Sequence, residues 1–345
     1  MTATGIAADH HMRKILNTPE GVVDDYLAGL AAAHRDIIVH DRQNRLIMRA
    51  DAPVAGKVGI VAGGGSGCEP LHTGFVGPGM IDAAVAGAVF TSPVPRQIVE
   101  ATRAVNGGAG VLHVIKNFPG EVMNFGMAQE ILGFDDDIDI ASVLVDDDVA
   151  TRGATGSTGG RGLGATLLVE RIAGAAAELG SSLAHVKEIA ERVNARSRSF
   201  GVGLSSCTPP LRGRPIFDLP DGEIELGIGI SGEPGRERAA ALGAGRLADL
   251  MLDAVLTDLR PSAGARLLAL VNGMGATPDS ELYLLYGEVA SRLRERGFDP
   301  ALSLVGSFVT SLDQAGAALT VSEIDDDLIE LWERPLHTPA LRWKA

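Results

Sequence analysis

Along most of its length the chain repeats one unit: a short apolar run, a glycine-rich turn, then a stretch with helical spacing. Lys57–Ala62 (KVGIVA) runs into GGGSGCEP, and Gly110–Ile115 (GVLHVI) runs into KNFPGE before a helix from about Val122 to Leu132. Ile140–Val145 (IASVLV) runs into DDDVA, and the glycine-rich stretch Gly153–Gly164 precedes a helix over Ala165–Leu179. Ahead of these, Gly21–Ala33 reads as a helix with Val22, Val23, Leu27 and Leu30 on one stripe. Strand–loop–helix alternation of this kind predicts layered α/β architecture.

After a further amphipathic helix over Leu183–Ala195, a second series begins. Phe200–Leu204 leads into SSCTPP, Ile224–Ile230 (IELGIGI) into SGEPG, Arg266–Val271 (RLLALV) into NGMGATP, and Leu302–Val309 into TSLD. The seam between the two series falls near 195–200, which divides the chain into an N-terminal domain, 1–197, and a C-terminal domain, 198–345. A length of 345 residues suits two domains. With 46% hydrophobic but only 4% aromatic residues, the core is built from Ala, Val, Leu and Ile. The 44 glycines gather at the ends of apolar runs, as tight strand-end loops require.

Charge narrows the choice of partners. A formal charge of −14 argues against nucleic acid and anionic membrane, both of which need a basic footprint. No apolar run is long enough to span a bilayer. The N-terminus, Met1–Asn17, carries His10, His11, Arg13 and Lys14 without an apolar core, so it does not read as a secretory signal. Cys68 and Cys207 do not suggest a disulfide framework. A soluble cytoplasmic protein is the expectation.

In open α/β sheets ligands lie outside the carboxyl ends of strands, and here those loops hold most of the small and polar residues. GGGSGCEP (Gly63–Pro70) is expected to open a helix, and it reads either as a structural strand–helix turn or as a small concavity of backbone N–H groups for a phosphate or a hydroxylated molecule. It is not a Walker A loop, because no Lys-Ser/Thr pair follows the glycines. Cys68 in this loop reads either as a low-pKa thiol at a helix start or as a small filler. Lys116 and Glu121 in KNFPGE form either a site that orients and deprotonates a hydroxyl or a surface salt bridge beside a turn. The adjacent carboxylates of DDDVA (Asp146–Ala150) point alternately, which favours capping and turn roles over metal binding. Ser231 in GISGEPG (Gly229–Gly235) has no evident base nearby in sequence, so it reads as a hydrogen-bonding or structural serine.

Taken together, RADAPVAGKV (Arg49–Val58), GGGSGCEP, FTSPVP (Phe90–Pro95), GVLHVIKNFPGE, VDDDVA, GISGEPG, LVNGMGATPDSELY (Leu270–Tyr283), TSLD (Thr310–Asp313) and HTPALRW (His337–Trp343) resemble, in order and spacing, the substrate-binding subunits of dihydroxyacetone kinases (the DhaK type). The resemblance implies two α/β domains with mixed sheets flanked by helices, normally in a homodimer that binds dihydroxyacetone between strand-end loops. It implies that this chain holds neither nucleotide nor metal, and that ATP or ADP with magnesium sits on a separate DhaL-type partner subunit.

Three site positions depart from the family pattern. Ser231 stands where a histidine adds to the ketone carbonyl, Cys68 where a histidine contacts the substrate hydroxyl, and Glu121 where an aspartate acts as base. Gly64, Gly65 and Lys116 match unchanged, and with Ser66 and Gly232 they complete the expected substrate-binding set. Losing the imidazole at 231 implies non-covalent binding. The first reading is therefore a kinase subunit for a small ketose, tetrose or polyol with Glu121 as base. The alternatives are a ligand-sensing co-activator without turnover, and an isomerase or lyase on a sugar phosphate using Cys68 and Glu121.

Overall fold

A computed structural model describes residues 14–152 and 159–344. Most of the N-terminal polar segment, including His10, His11 and Arg13, and part of the Gly153–Gly164 stretch lie outside the described residues. The chain builds two six-stranded sheets. The first contains β1 (Ile38–Asp41), β2 (Leu46–Arg49), β3 (Gly59–Ser66), β4 (Ala83–Val89), β5 (Val111–Lys116) and β6 (Ile140–Val145), in the order β1-β2-β4-β3-β5-β6. Strands β4, β3, β5 and β6 run parallel, while β1 and β2 are antiparallel at one edge. The second contains β7 (Ser197–Gly203), β8 (Glu223–Leu226), β9 (Glu237–Ala240), β10 (Arg266–Gly273), β11 (Asp299–Gly306) and β12 (Gly316–Glu323), in the order β11-β10-β12-β7-β8-β9. Only its β10–β11 pair is parallel. Both sheets are thus mixed and flanked by helices, as the sequence implies.

The helices are α1 (Val22–Ala33), α2 (Pro95–Val105), α3 (Pro119–Asp135), α4 (Ala165–Glu178), α5 (Leu183–Ala195), α6 (Ala244–Leu259), α7 (Asp279–Glu295) and α8 (Asp326–Glu333). Alanine-rich α4 is buried from Ala165 through Ala177 and touches β3 and β5 of the first sheet and β7 of the second. Small side chains let it pass this closely: a Cβ on Gly174 would lie 2.2 Å from the Met80 carbonyl oxygen. Asp147 of the DDDVA run is fully buried and accepts hydrogen bonds from the backbone of Leu163 and Ala165, so it caps α4 from the neighbouring strand end. Helices α2 and α3 pack with β3–β5 in a separate apolar cluster, as α6 and α7 do with β10 and β12.

From α8 onward the chain returns to the first sheet. A hairpin of β13 (Leu336–His337) and β14 (Arg342–Trp343) follows, His337 N–H donates to Pro78 O, and Ala340 N–H donates to Gly74 O. The buried Arg171 guanidinium on α4 fastens this return, donating to Gly79 O, Trp332 O and Arg334 O and lying 5.1 Å from the Trp343 ring centre.

Three expectations are corrected. The second-series strand ends at Leu226, because Gly227 adopts φ +73° and turns the chain, so Ile228–Ile230 belongs to a loop. Strand β11 covers Asp299–Gly306 rather than Leu302–Val309. No helix opens at GGGSGCEP: β3 continues through the glycines to Ser66, and the loop beyond holds only a three-residue 3₁₀ turn at Thr73–Phe75.

Candidate functional site

The candidate residues gather where the carboxyl ends of β3 and β5 meet loops of the second sheet. Gly64 and Gly65 lie on β3 with Ser66 at its end, Lys116 ends β5, and Glu121 sits in the first turn of α3. Pro119 starts that helix with its φ already helical and no N–H to satisfy. The helix turns Glu121 back onto the strand end, where Oε1 accepts from Lys116 N–H at 2.9 Å and from Lys116 Nζ at 3.1 Å. The two residues are 3% and 2% exposed. The expectation of a surface salt bridge is thereby corrected, because the turn folds inward beneath α4 and the loop after β3.

Burial raises the Glu121 carboxyl above its ordinary value, opposed by the neighbouring Lys116 ammonium and its hydrogen bonds. Glu121 Oε2 takes no hydrogen bond among the described residues and faces the bare Cα of Gly64. A Cβ there would stand 2.2 Å from Lys116 Nζ, 3.1 Å from Glu121 Oε2 and 3.3 Å from His72 Nε2. Three polar side chains therefore converge on a position that only glycine leaves open. Gly65 has a different reason for lacking a side chain: a Cβ would press within 2.6 Å of Thr91 N. Ser66 Oγ is occupied with Gly87 O, tying β3 to β4.

Cys68 is buried, and its thiol donates to Ile230 O at 3.3 Å, linking the β3 loop to the loop carrying Ser231. Burial pushes this thiol well up from its usual range, and the carboxylates of Glu69, Glu233 and Glu121 add to the effect against Lys116. Of the two readings of Cys68, the low-pKa thiol fails because no helix begins there to stabilise a thiolate, and the buried small filler stands. Thr310 N–H donates to Cys68 O and Leu312 N–H to Gly67 O, so the second sheet also clamps this loop.

Ser231 is held through its backbone: its N–H donates to Glu233 Oε2 at 2.8 Å, and Glu233 Oε1 accepts from Arg161 at 3.0 Å. No base hydrogen-bonds the Ser231 hydroxyl among the described residues, so nothing there activates it as a nucleophile. Gly232 adopts φ +76°, and a Cβ on it would meet Ile216, Phe90 and Cys207.

Sequence reading missed two residues. His72 follows the β3 loop and hydrogen-bonds Lys116 Nζ through Nε2 at 2.7 Å; its Nδ1 bonds Glu170 of α4. Phe90, at φ +54°, lays its ring beside both Gly67 and Gly232. It lies in the FTSPVP segment, so a signal was present for Phe90, whereas His72 has none. A cavity of about 530 Å³ flanks Ser66, Gly67, Glu69 and Leu312 next to α1, but Lys116, Glu121 and Ser231 do not line it. Among the described residues, no group of three or more His, Cys, Asp or Glu is placed to hold a metal ion.

Residues 28–340 match the family model described as the Dak1 domain. The chain belongs to the Dak1 family. Within that family it is 45% identical over 330 residues, 95% of this chain and all of the relative, to the dihydroxyacetone-binding subunit DhaK of PTS-dependent dihydroxyacetone kinase 1 from Listeria innocua. It is 39% identical over 331 residues, 96% of this chain and 57% of the relative, to D-erythrulose kinase of Mycolicibacterium smegmatis. Among solved structures it is similar to the dihydroxyacetone kinase operon co-activator Dha-DhaQ, with a TM-score of 0.87, 29% identity, and coverage of 92% of this chain and 97% of the other. Of the motifs read from the sequence, GGGSGCEP, KNFPGE and GISGEPG meet at the strand ends, whereas HTPALRW forms the C-terminal hairpin.

Proposed function

We propose that this chain is the substrate-binding subunit of a dihydroxyacetone-kinase-like phosphotransferase, holding a small ketose, tetrose or polyol without a covalent bond. The observation that carries the reading is the buried Lys116–Glu121 pair beside Gly64, with one carboxylate oxygen left for a hydroxyl. Glu121 takes the proton of the attacking hydroxyl as that oxygen bonds to phosphorus and the nucleotide's terminal phosphate bond breaks. Lys116 fixes the carboxylate. Gly64, Gly65, Ser66 and Gly232 shape the substrate cradle, and Cys68 fills it as a neutral thiol. Ser231 offers a hydroxyl where the family's nucleophile would stand, so the ketone stays a ketone.

The nucleotide, ATP or ADP with magnesium, sits on a separate DhaL-type subunit, and the chain works as a cytoplasmic homodimer. Division into units 1–197 and 198–345 is proposed on the same footing, the cut falling at the first residue of β7. Similarity to a co-activator supports a second reading, ligand binding without turnover. A panel of C3 to C5 ketoses, aldoses and polyols, tested with a nucleotide-binding subunit and ATP, decides between them. Phosphorylation that requires the partner is expected. Binding without turnover selects the co-activator reading, and turnover without partner or nucleotide overturns both.

A further inference from the structure

Beneath the Lys116–Glu121 pair lies a second buried pair that the phosphotransfer step does not use. His72 and Glu170 are 5% and 0% exposed, and Glu170 Oε2 has no hydrogen-bond partner among the described residues. A wholly buried carboxyl with one orphaned oxygen is costly to fold. Its position suggests what offsets that cost. Lys116 Nζ has three protons, and three acceptors surround it: His72 Nε2 at 2.7 Å, Glu121 Oε1 at 3.1 Å and Gly63 O at 3.4 Å. For an ammonium to donate to Nε2, that nitrogen must be bare, so the imidazole proton lies on Nδ1 and points at Glu170.

We propose that His72 and Glu170 are positioning residues: Glu170 fixes the Nδ1–H tautomer of His72, whose bare Nε2 anchors the Lys116 ammonium without adding negative charge. The inference rests on the kinase reading above. A neutral anchor matters because a second carboxylate at this place would compete with Glu121 for the same cation. With an imidazole there, Lys116 is divided between a neutral and an anionic partner, and Glu121 keeps more basicity than in a closed ion pair. The groups facing His72 are Lys116 from β5, Glu121 from α3 and Glu170 from α4. Burial, then Lys116, holds the imidazole well below its ordinary value, and burial holds Glu170 well above its own, so both favour neutrality.

The fold supplies an internal comparison. His113, also fully buried, accepts from the Gln129 side-chain amide at Nδ1 and bonds the Thr102 hydroxyl at Nε2, while that hydroxyl donates to Ile98 O. It must therefore be the Nε2–H tautomer. Long-range proton–nitrogen NMR on the full chain labelled with [15N]histidine, from pH 5 to 9, should show two non-titrating neutral imidazoles of opposite tautomer. The signal absent in His72→Gln should be the Nδ1–H form. Finding His72 as Nε2–H, or titrating near pH 6.5, overturns the proposal.

This readout needs no turnover, so it stands or falls apart from the kinase reading. In the working kinase, Glu170→Leu should lower kcat about 10- to 100-fold with KM changed less than about threefold, and should move the acid limb of the kcat profile to lower pH. Glu170→Gln, which retains an acceptor for Nδ1–H, should restore most of kcat and the position of that limb. An unmoved acid limb in a folded Glu170→Leu protein also overturns the proposal.

Discussion

Replacing Gly64 by alanine adds one methyl group at the point where Lys116, Glu121 and His72 meet. Its Cβ would lie 2.2 Å from Lys116 Nζ. Ordinary contact begins near 3.4 Å, so the ammonium must retreat by about 1.2 Å or the strand must shift. The hydrogen bonds at 2.7 Å to His72 and 3.1 Å to Glu121 do not both survive such a move. Overpacking costs about 1–3 kcal/mol, and a lost charge-assisted hydrogen bond adds about 1.5–3 kcal/mol. Misplacing a catalytic group by about 1 Å lowers turnover about 100-fold.

Gly64→Ala should therefore unfold several degrees lower and lose at least about 100-fold in kcat/KM with the partner subunit present. Gly126→Ala on α3 is the control, because its Cβ meets nothing within 4 Å. That change should leave turnover intact and stabilise by about 0.5–1 kcal/mol. Thermal melts and steady-state phosphorylation read both. Wild-type turnover in a folded Gly64→Ala protein would refute the convergence on this position.

His113 should make stability fall in acid. Burial holds its imidazole at about 3, below the 6.5 of the unfolded chain. The unfolded state binds the extra proton, so stability is full above pH 6.5 and is lost as pH falls towards 3. At about 1.4 kcal/mol per pH unit the loss approaches about 5 kcal/mol, and urea titrations of His113→Phe should lack this component. Arg171→Met should cost about 2–4 kcal/mol, since Gly79 O and two carbonyls of the C-terminal return lose a charged donor; a melt unchanged from wild type would contradict the clamp. Cys68 should react with a thiol reagent at pH 8 far more slowly in the native protein than in urea, because burial holds its thiol protonated.

The alternation of apolar runs and glycine loops was enough to place most strands, since parallel core strands carry continuous apolar sequence. It failed where one residue decides the backbone: Gly227 ends β8 within a run, IELGIGI, that is apolar throughout. Lys116 and Glu121 were legible as a pair from their spacing around Pro119, but not as a buried one, because burial depends on α4 arriving from fifty residues downstream. His72 and Glu170 carry no local signal at all. They are 98 residues apart and meet only through tertiary packing. The helix expected at GGGSGCEP failed for a related reason, since a glycine loop after a strand resembles a helix start until the strand is seen to continue to Ser66.

Under the proposed function, Glu121 is the base that accepts a substrate proton while the ketose is bound without a covalent link. Single-turnover phosphoryl transfer from the nucleotide-loaded partner, comparing wild type with the near-isosteric Glu121→Gln, tests it most directly. A fall of at least about 100-fold is expected, with substrate affinity retained. Transfer within a few-fold of wild type would contradict it.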